Sequence, residues 1–147
     1  MVSKKVVDKF VKSQKSIQFY TKMQKALADV LLAMPDEDYN KATKNLIIVC
    51  LHVGAEGQCM HFSPIKEKFK VIQLNYTKAM PIDVMHHLVA HELGHAIQDR
   101  NWHKGDGNKL ELNADEWARK WGFPFTRKIK DWSPKFWKSH GIDRNKF

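Results

Sequence analysis

His91-Glu92-Leu93-Gly94-His95 decides how this chain is read. On a helix, residues four apart share a face, so His91 and His95 can aim their imidazoles at one metal ion. Glu92 follows the first histidine and projects beside the same ion, where a carboxylate can take a proton from an activated water. The pattern implies a zinc-dependent hydrolase acting on peptide bonds. Its weight depends on whether the rest of the chain completes the site.

The motif falls within a stretch that reads as a helix from Ile82 to Arg100. Pro81 precedes it, Asp83 suits its positive end, and Val84, Leu88, Leu93 and Ile97 are available to a core. His86 and His87 lie one turn before the motif. His87 is spaced four before His91, but a third ligand in line would sit too far up the axis for one ion, so both read as bystanders.

Working outward, Ser3 to Met34 carries apolar residues at gaps of three and four, with lysines on the other face. This predicts one long amphipathic packing helix, or two with a break near Ser16 and Ile17, ended by Pro35 and Asp36-Glu37-Asp38. Leu46 to Val53 is β-branched and short enough for a strand. Gly54 to Gly57 is turn chemistry, and Gln58 to Phe62 reads as the returning strand of a hairpin.

In that register Cys50, His52, Cys59 and His61 would share one face, a donor set that could hold a second metal. A one-residue slip scatters the set, so these are read as ordinary sheet residues. Lys70 to Tyr76 alternates as a further strand. After the motif, Asn101 to Asn108 is a loop. Lys109 to Trp121 is a second helix closed by Gly122 and Pro124, with Glu111 and Asp115 four apart on one face. Residues 123–147 form a basic, aromatic extension, with a short helix expected near Ser133 to Trp137.

The 147 residues suit one domain, and 43% apolar with 28% charged residues is ordinary globular composition. No apolar run approaches the ~20 residues that span a bilayer, and no secretory signal is recognisable, so a cytoplasmic location is expected. Cys50 and Cys59 are too few for a disulfide framework and are expected to stay thiols.

The net charge of +9 is concentrated at the ends: seven lysines face Asp8 and Asp29 within residues 1–30, and nine Lys and Arg face Asp131 and Asp143 within 119–147. Residues 31–118 are net acidic. Basic ends could guide the chain to nucleic acid or another acidic partner. A solvated lysine surface is the simpler reading.

A catalytic zinc takes three protein ligands and leaves a position open. The metzincin pattern requires Gly where Gln98 stands and His where Asn101 stands, so that class is excluded. His103 stays open as a third ligand. The alternative is Glu111, the start of Glu111-Leu112-Asn113-Ala114-Asp115, which resembles the E-x-x-x-D signature of gluzincins. The order of helix, small sheet, His-Glu-Leu-Gly-His and Glu-x-x-Ala-Asp resembles the minimal gluzincin core, particularly ImmA/IrrE-type peptidase domains, over roughly residues 45–121.

The resemblance implies an α+β, zincin-like fold and one catalytic Zn²⁺ held by His91, His95 and Glu111. It makes Glu92 the general base and Asp115 the acceptor for the non-ligating nitrogen of His91. It also implies a protein or peptide substrate, with Val71 to Asn75 as the edge strand that the substrate pairs with. A metal-bound imidazole needs such an acceptor whatever the family. The oxyanion donor is left open among His103, Tyr76 and His140.

Members of the ImmA/IrrE-type group often carry a DNA-binding helix-turn-helix and cleave repressors. No such segment is recognisable here, and that substrate does not carry over. Two rival readings stand beside the peptidase: a zinc protease acting at nucleic acid, and a non-catalytic zinc-binding regulatory module on the same fold.

Overall fold

The computed structural model describes residues 1–51, 59–62, 69–98 and 107–132. The chain is α+β. Its described elements are α1 (Lys4–Ser13), a 3-10 turn (Lys15–Ile17), α2 (Thr21–Ala33), α3 (Asp36–Thr43), β1 (Leu46–Leu51), β2 (Cys59–Phe62), β3 (Phe69–Asn75), α4 (Ile82–Ile97), α5 (Gly107–Lys120) and α6 (Arg127–Trp132).

The N-terminal periodic stretch is two helices and not one. Ser3 caps α1 through its hydroxyl. The break past Ser13 frees side chains for the sheet: Gln14 Oε1 accepts from Ile48 N at 2.9 Å, and Ser16 Oγ accepts from Cys50 N at 2.7 Å. These bonds occupy backbone donors on the outer edge of β1, which would otherwise be open.

The acidic run expected to end the helical region instead opens α3. Pro35 sits just ahead of it and Asp36, Glu37 and Asp38 fill its first turn. Proline and acidic residues both close one helix and start the next, because each suits a positive N-terminal end. Asp38 is buried there and accepts from Trp121 Nε1 at 3.0 Å and from Lys120 Nζ at 3.2 Å, fastening the far end of α5.

The hairpin expected from Leu46 to Phe62 does not form. The sheet order is β1-β3-β2: β1 pairs with β3 in parallel and β2 pairs with β3 antiparallel. Cys50 therefore stands opposite Leu74, Cys59 opposite Ile72 and His61 opposite Lys70. With β3 between the two strands, the facing pairs that would have made the Cys50/Cys59/His61 metal set are lost, and His52 lies outside the described residues.

The same order overturns the reading of Val71 to Asn75 as a substrate edge, because β3 is the central strand. The physical reason is burial. Lys70, Ile72 and Leu74 alternate into the interior on the longest strand, and a central place satisfies that strand's backbone on both sides.

Lys70 is itself buried, and its ammonium donates to the carbonyls of Lys41, Ala42 and Ala96, the last two at 3.1 Å each. Those carbonyls lie at the C-terminal ends of α3 and α4, where the helix dipole favours a cation. One side chain thus ties a strand to the ends of two helices.

At the centre runs α4, packed against α2, α3, α5 and β3. Its burial is nearly all round, from Val84 to Ala96, which is why its apolar residues do not form a single stripe. Met23, Leu27 and Leu31 of α2 and Ile72 and Leu74 of β3 belong to the same buried core. No helix among the described residues is long and apolar enough to cross a membrane.

Candidate metal centre

The central helix is also the one that carries the motif. His91 is buried on α4, and one turn on, the His95 ring meets it edge-on with ring centres 4.7 Å apart. Their Nε2 atoms stand 3.1 Å from each other. Glu111 reaches in from α5, with Oε2 3.1 Å from His91 Nε2 and Oε1 3.4 Å from His95 Nε2. On the other side of the His91 ring, Nδ1 stands 2.8 Å from Asp115 Oδ1. The sequence-predicted residues His91, His95, Glu111 and Asp115 are thus brought together.

Two groups of three among the described residues could hold a metal ion: His91, His95 and Glu111, and His87, His91 and Asp115. The first is close to what a tetrahedral ion needs. Ligand bonds of 2.0–2.1 Å at tetrahedral angles leave donor atoms about 3.3 Å apart; the two histidine nitrogens stand 3.1 Å apart, and each meets its own Glu111 oxygen, Oε2 at 3.1 Å from His91 and Oε1 at 3.4 Å from His95. The second group uses the opposite nitrogen of the same ring. In either group an ion would take the place of a proton that His91 shares with a carboxylate, Asp115 at Nδ1 or Glu111 at Nε2.

The charges are arranged to match. Burial pulls the His91 imidazolium down, but hydrogen bonds to Asp115 and Glu111 and the nearby Glu92 charge outweigh it and hold the ring at about 9. Burial lifts Glu111, yet its hydrogen bonds from His91 and His95 carry it down to about 2. The cluster is a pocket of negative charge that keeps a positive one in place.

Glu92 completes the set differently. It is only 4% exposed and makes no hydrogen bond or ion pair with a described residue, while its charge acts on the His91 ring. A largely buried carboxylate that is not hydrogen-bonded is costly to a fold.

Two contacts join α5 to α4 on either side of Glu111 in sequence. A Cβ added at Gly94 would lie 2.9 Å from the Ala114 carbonyl oxygen, 3.0 Å from Ala114 Cα and 3.2 Å from Trp117 Cβ. The helices therefore touch backbone to backbone at this point. Four residues further along α4's direction, Gln98 Nε2 donates to the Leu110 carbonyl at 2.9 Å. Ala114 is fully buried at this contact.

Sequence reasoning missed His87. It is fully buried, with Nδ1 3.0 Å from the Phe123 carbonyl oxygen and Nε2 3.5 Å from Asp115 Oδ1. Burial lowers it, so the neutral ring donates from Nδ1 to Phe123. That carbonyl is delivered by Gly122, whose φ of 91° turns the chain back at the end of α5. Its partner His86 faces away, 2.9 Å from Asp29 of α2. The spacing of four from His91 to His87 was visible in the sequence. The carbonyl it binds was not.

His103 and His140 lie outside the described residues. Tyr76 packs its ring against Tyr20, with centres 5.1 Å apart. Comparison with known proteins gives no likeness to argue from: no family model, no curated protein and no solved structure matches this chain.

Proposed function

We propose that this chain is a zinc-dependent metallopeptidase of the gluzincin type, with a zincin-like fold akin to ImmA/IrrE-type peptidase domains. The observation that carries the reading is the convergence of His91, His95 and Glu111, with Asp115 behind His91 and a buried Glu92 next to it in sequence. A chance histidine pair on a core helix would need neither a carboxylate reaching both rings nor an acceptor for the far side of the first.

His91 Nε2, His95 Nε2 and a Glu111 oxygen would hold the ion. When bound, zinc supplies a Lewis acid that polarises a peptide carbonyl and makes water acidic enough to lose a proton near neutral pH. Glu92 receives that proton on its carboxylate and hands it to the departing amine, so one group serves as base and then acid. Asp115 keeps the His91 proton on Nδ1 and so leaves Nε2 bare. The burial of His91 and Glu92 limits bulk water, which strengthens each electrostatic contact.

An extended peptide would pair with a strand edge. Gln14 and Ser16 close the outer edge of β1, which leaves β2 as the edge for a protein or peptide substrate. Intact Glu92 favours turnover over a purely regulatory module. The deciding experiment compares wild type with Glu92→Gln for zinc content and for proteolysis of an unfolded protein such as reduced casein. The expected result is equal zinc and turnover reduced by about a thousandfold or more. Full activity in Glu92→Gln would sink the mechanism.

A further inference from the structure

Nothing in the peptidase reading assigns a role to Gln98. It stands just past the end of α4, three residues after His95, where the backbone has left the helix (φ −59°, ψ 143°). Its side-chain amide donates to the carbonyl of Leu110, the residue immediately before Glu111. That carbonyl lies in the first turn of α5, and a helical carbonyl has a second lone pair beyond the one used by its own helix.

The bond is therefore additional to α5 and belongs to the relation between the two helices. It spans the ends of the 99–106 connection and joins the tail of the helix bearing His91 and His95 to the peptide unit from which Glu111 projects.

The Gly94 contact fixes the distance between α4 and α5 at Ala114, one turn along from Glu111. The Ala114 contact, the Asp115–His91 bond and the Trp121–Asp38 bond all hold α5 on the C-terminal side of Glu111. Gln98 supplies a hold on the N-terminal side of Glu111, where the helix begins.

We propose that Gln98 is a positioning residue for the metal centre: its amide sets the orientation of α5 and so holds Glu111 within reach of His91 and His95. This rests on the zinc reading of those three residues. It assigns Gln98 no contact with substrate or ion.

The test is zinc affinity, measured by competition with a chromogenic chelator on full-length protein. Removal of a supporting partner of this kind costs roughly 10–100-fold in metal affinity, and Gln98→Leu is expected at the low end, about tenfold. Gln98→Lys keeps an N–H donor of similar reach and is expected to recover most of that loss.

The readout specific to positioning is a double-mutant cycle with Glu111→Ala. If Gln98 acts through Glu111, then Gln98→Leu added to Glu111→Ala weakens zinc no further. A wild-type chain that binds no zinc overturns the metal reading and this role together. If wild type binds but Gln98→Leu binds equally well, the role of Gln98 alone falls. A full tenfold further loss in the Glu111→Ala background, or no recovery in Gln98→Lys, also overturns it, since either would mean general loosening of the helix pair.

Discussion

Gly94 and Ala114 meet with no side chain between their backbones: a methyl on Gly94 would come within 2.9 Å of the Ala114 carbonyl oxygen. Gly94 is one of the two unspecified positions of the histidine motif, yet in this chain it decides how close the helix carrying Glu111 can come. Glycine inside a helix costs roughly 1 kcal/mol against alanine. Here the closer approach of α5 offsets that cost.

Gly94→Ala is expected to run against helix propensity. On propensity alone the change would stabilise α4 by about 1 kcal/mol. Because the atoms it would strike are backbone, α5 must move, and overpacking of this kind typically costs about 1–3 kcal/mol. The expected outcome is a lower melting temperature together with weaker zinc binding. A variant more stable than wild type with unchanged affinity would show that the helices can separate without harm.

Asp115 should matter to the metal through His91, the nearer of the two histidines it faces. Asp115→Ala removes the acceptor 2.8 Å from Nδ1 and frees the ring to rotate and change tautomer. Zinc affinity should fall about 10–100-fold, the usual cost of losing such a partner. Equilibrium dialysis against a zinc buffer reads this directly, and an unchanged dissociation constant would remove Asp115 from the site.

The metal-free and zinc-loaded proteins should respond to pH with opposite sign. Glu111, lowered from 4.5 to about 2, contributes stability above 4.5 that is lost as pH falls towards 2. His91, raised from 6.5 to about 9, contributes stability below 6.5 that is lost as pH rises through 9. His91 owes its rise first to Asp115 and then to Glu111, and Glu111 owes its fall to His91 and then His95, so the two contributions overlap and do not add.

The metal-free chain should therefore be most stable between pH 4.5 and 6.5 as far as this cluster is concerned. Zinc competes with the proton on His91, so saturating zinc should make stability climb from pH 6.5 towards 9. Melting curves across that range, with and without zinc, check the crossing. Parallel curves would refute it.

Lys70 should be worth more to the fold than any surface ion pair. Lys70→Met keeps the apolar stem but strands the carbonyls of Lys41, Ala42 and Ala96. A loss of roughly 3 kcal/mol or more is expected in urea unfolding. Lys25→Ala, which breaks an exposed pair with Asp29 at 2.7 Å, should cost under about 1 kcal/mol. Similar losses in the two variants would show that Lys70 is not a structural tie.

Where the sequence is legible, a local rule suffices. The motif helix, the Glu111 helix and the Gly122 stop follow from periodicity and capping, each decided within a few residues. So do the ligands, because four-residue spacing fixes which side chains share a face. The sheet order is a different matter. Whether β1 turns back onto β2 or waits for β3 depends on which strand best fills the interior, and Lys70 shows why pattern alone misleads there. A lysine marks an edge or a surface by composition, yet this one is buried because two helix ends happen to converge on it. His87 and Gln98 were opaque for the same reason. Their partners are backbone carbonyls, at Phe123 and Leu110, and a sequence does not advertise where its carbonyls point.

The helix that forms the middle of the core is also the helix that presents His91 and His95. An ion held between α4 and α5 would act on both, as a rivet joining the core helix to the helix lying against it. Zinc that binds the folded state alone would add stability in proportion to the logarithm of its free concentration. The fraction of chains open to degradation would then follow the zinc supply, so that starving a cell of zinc would deplete the protein as well as silence it.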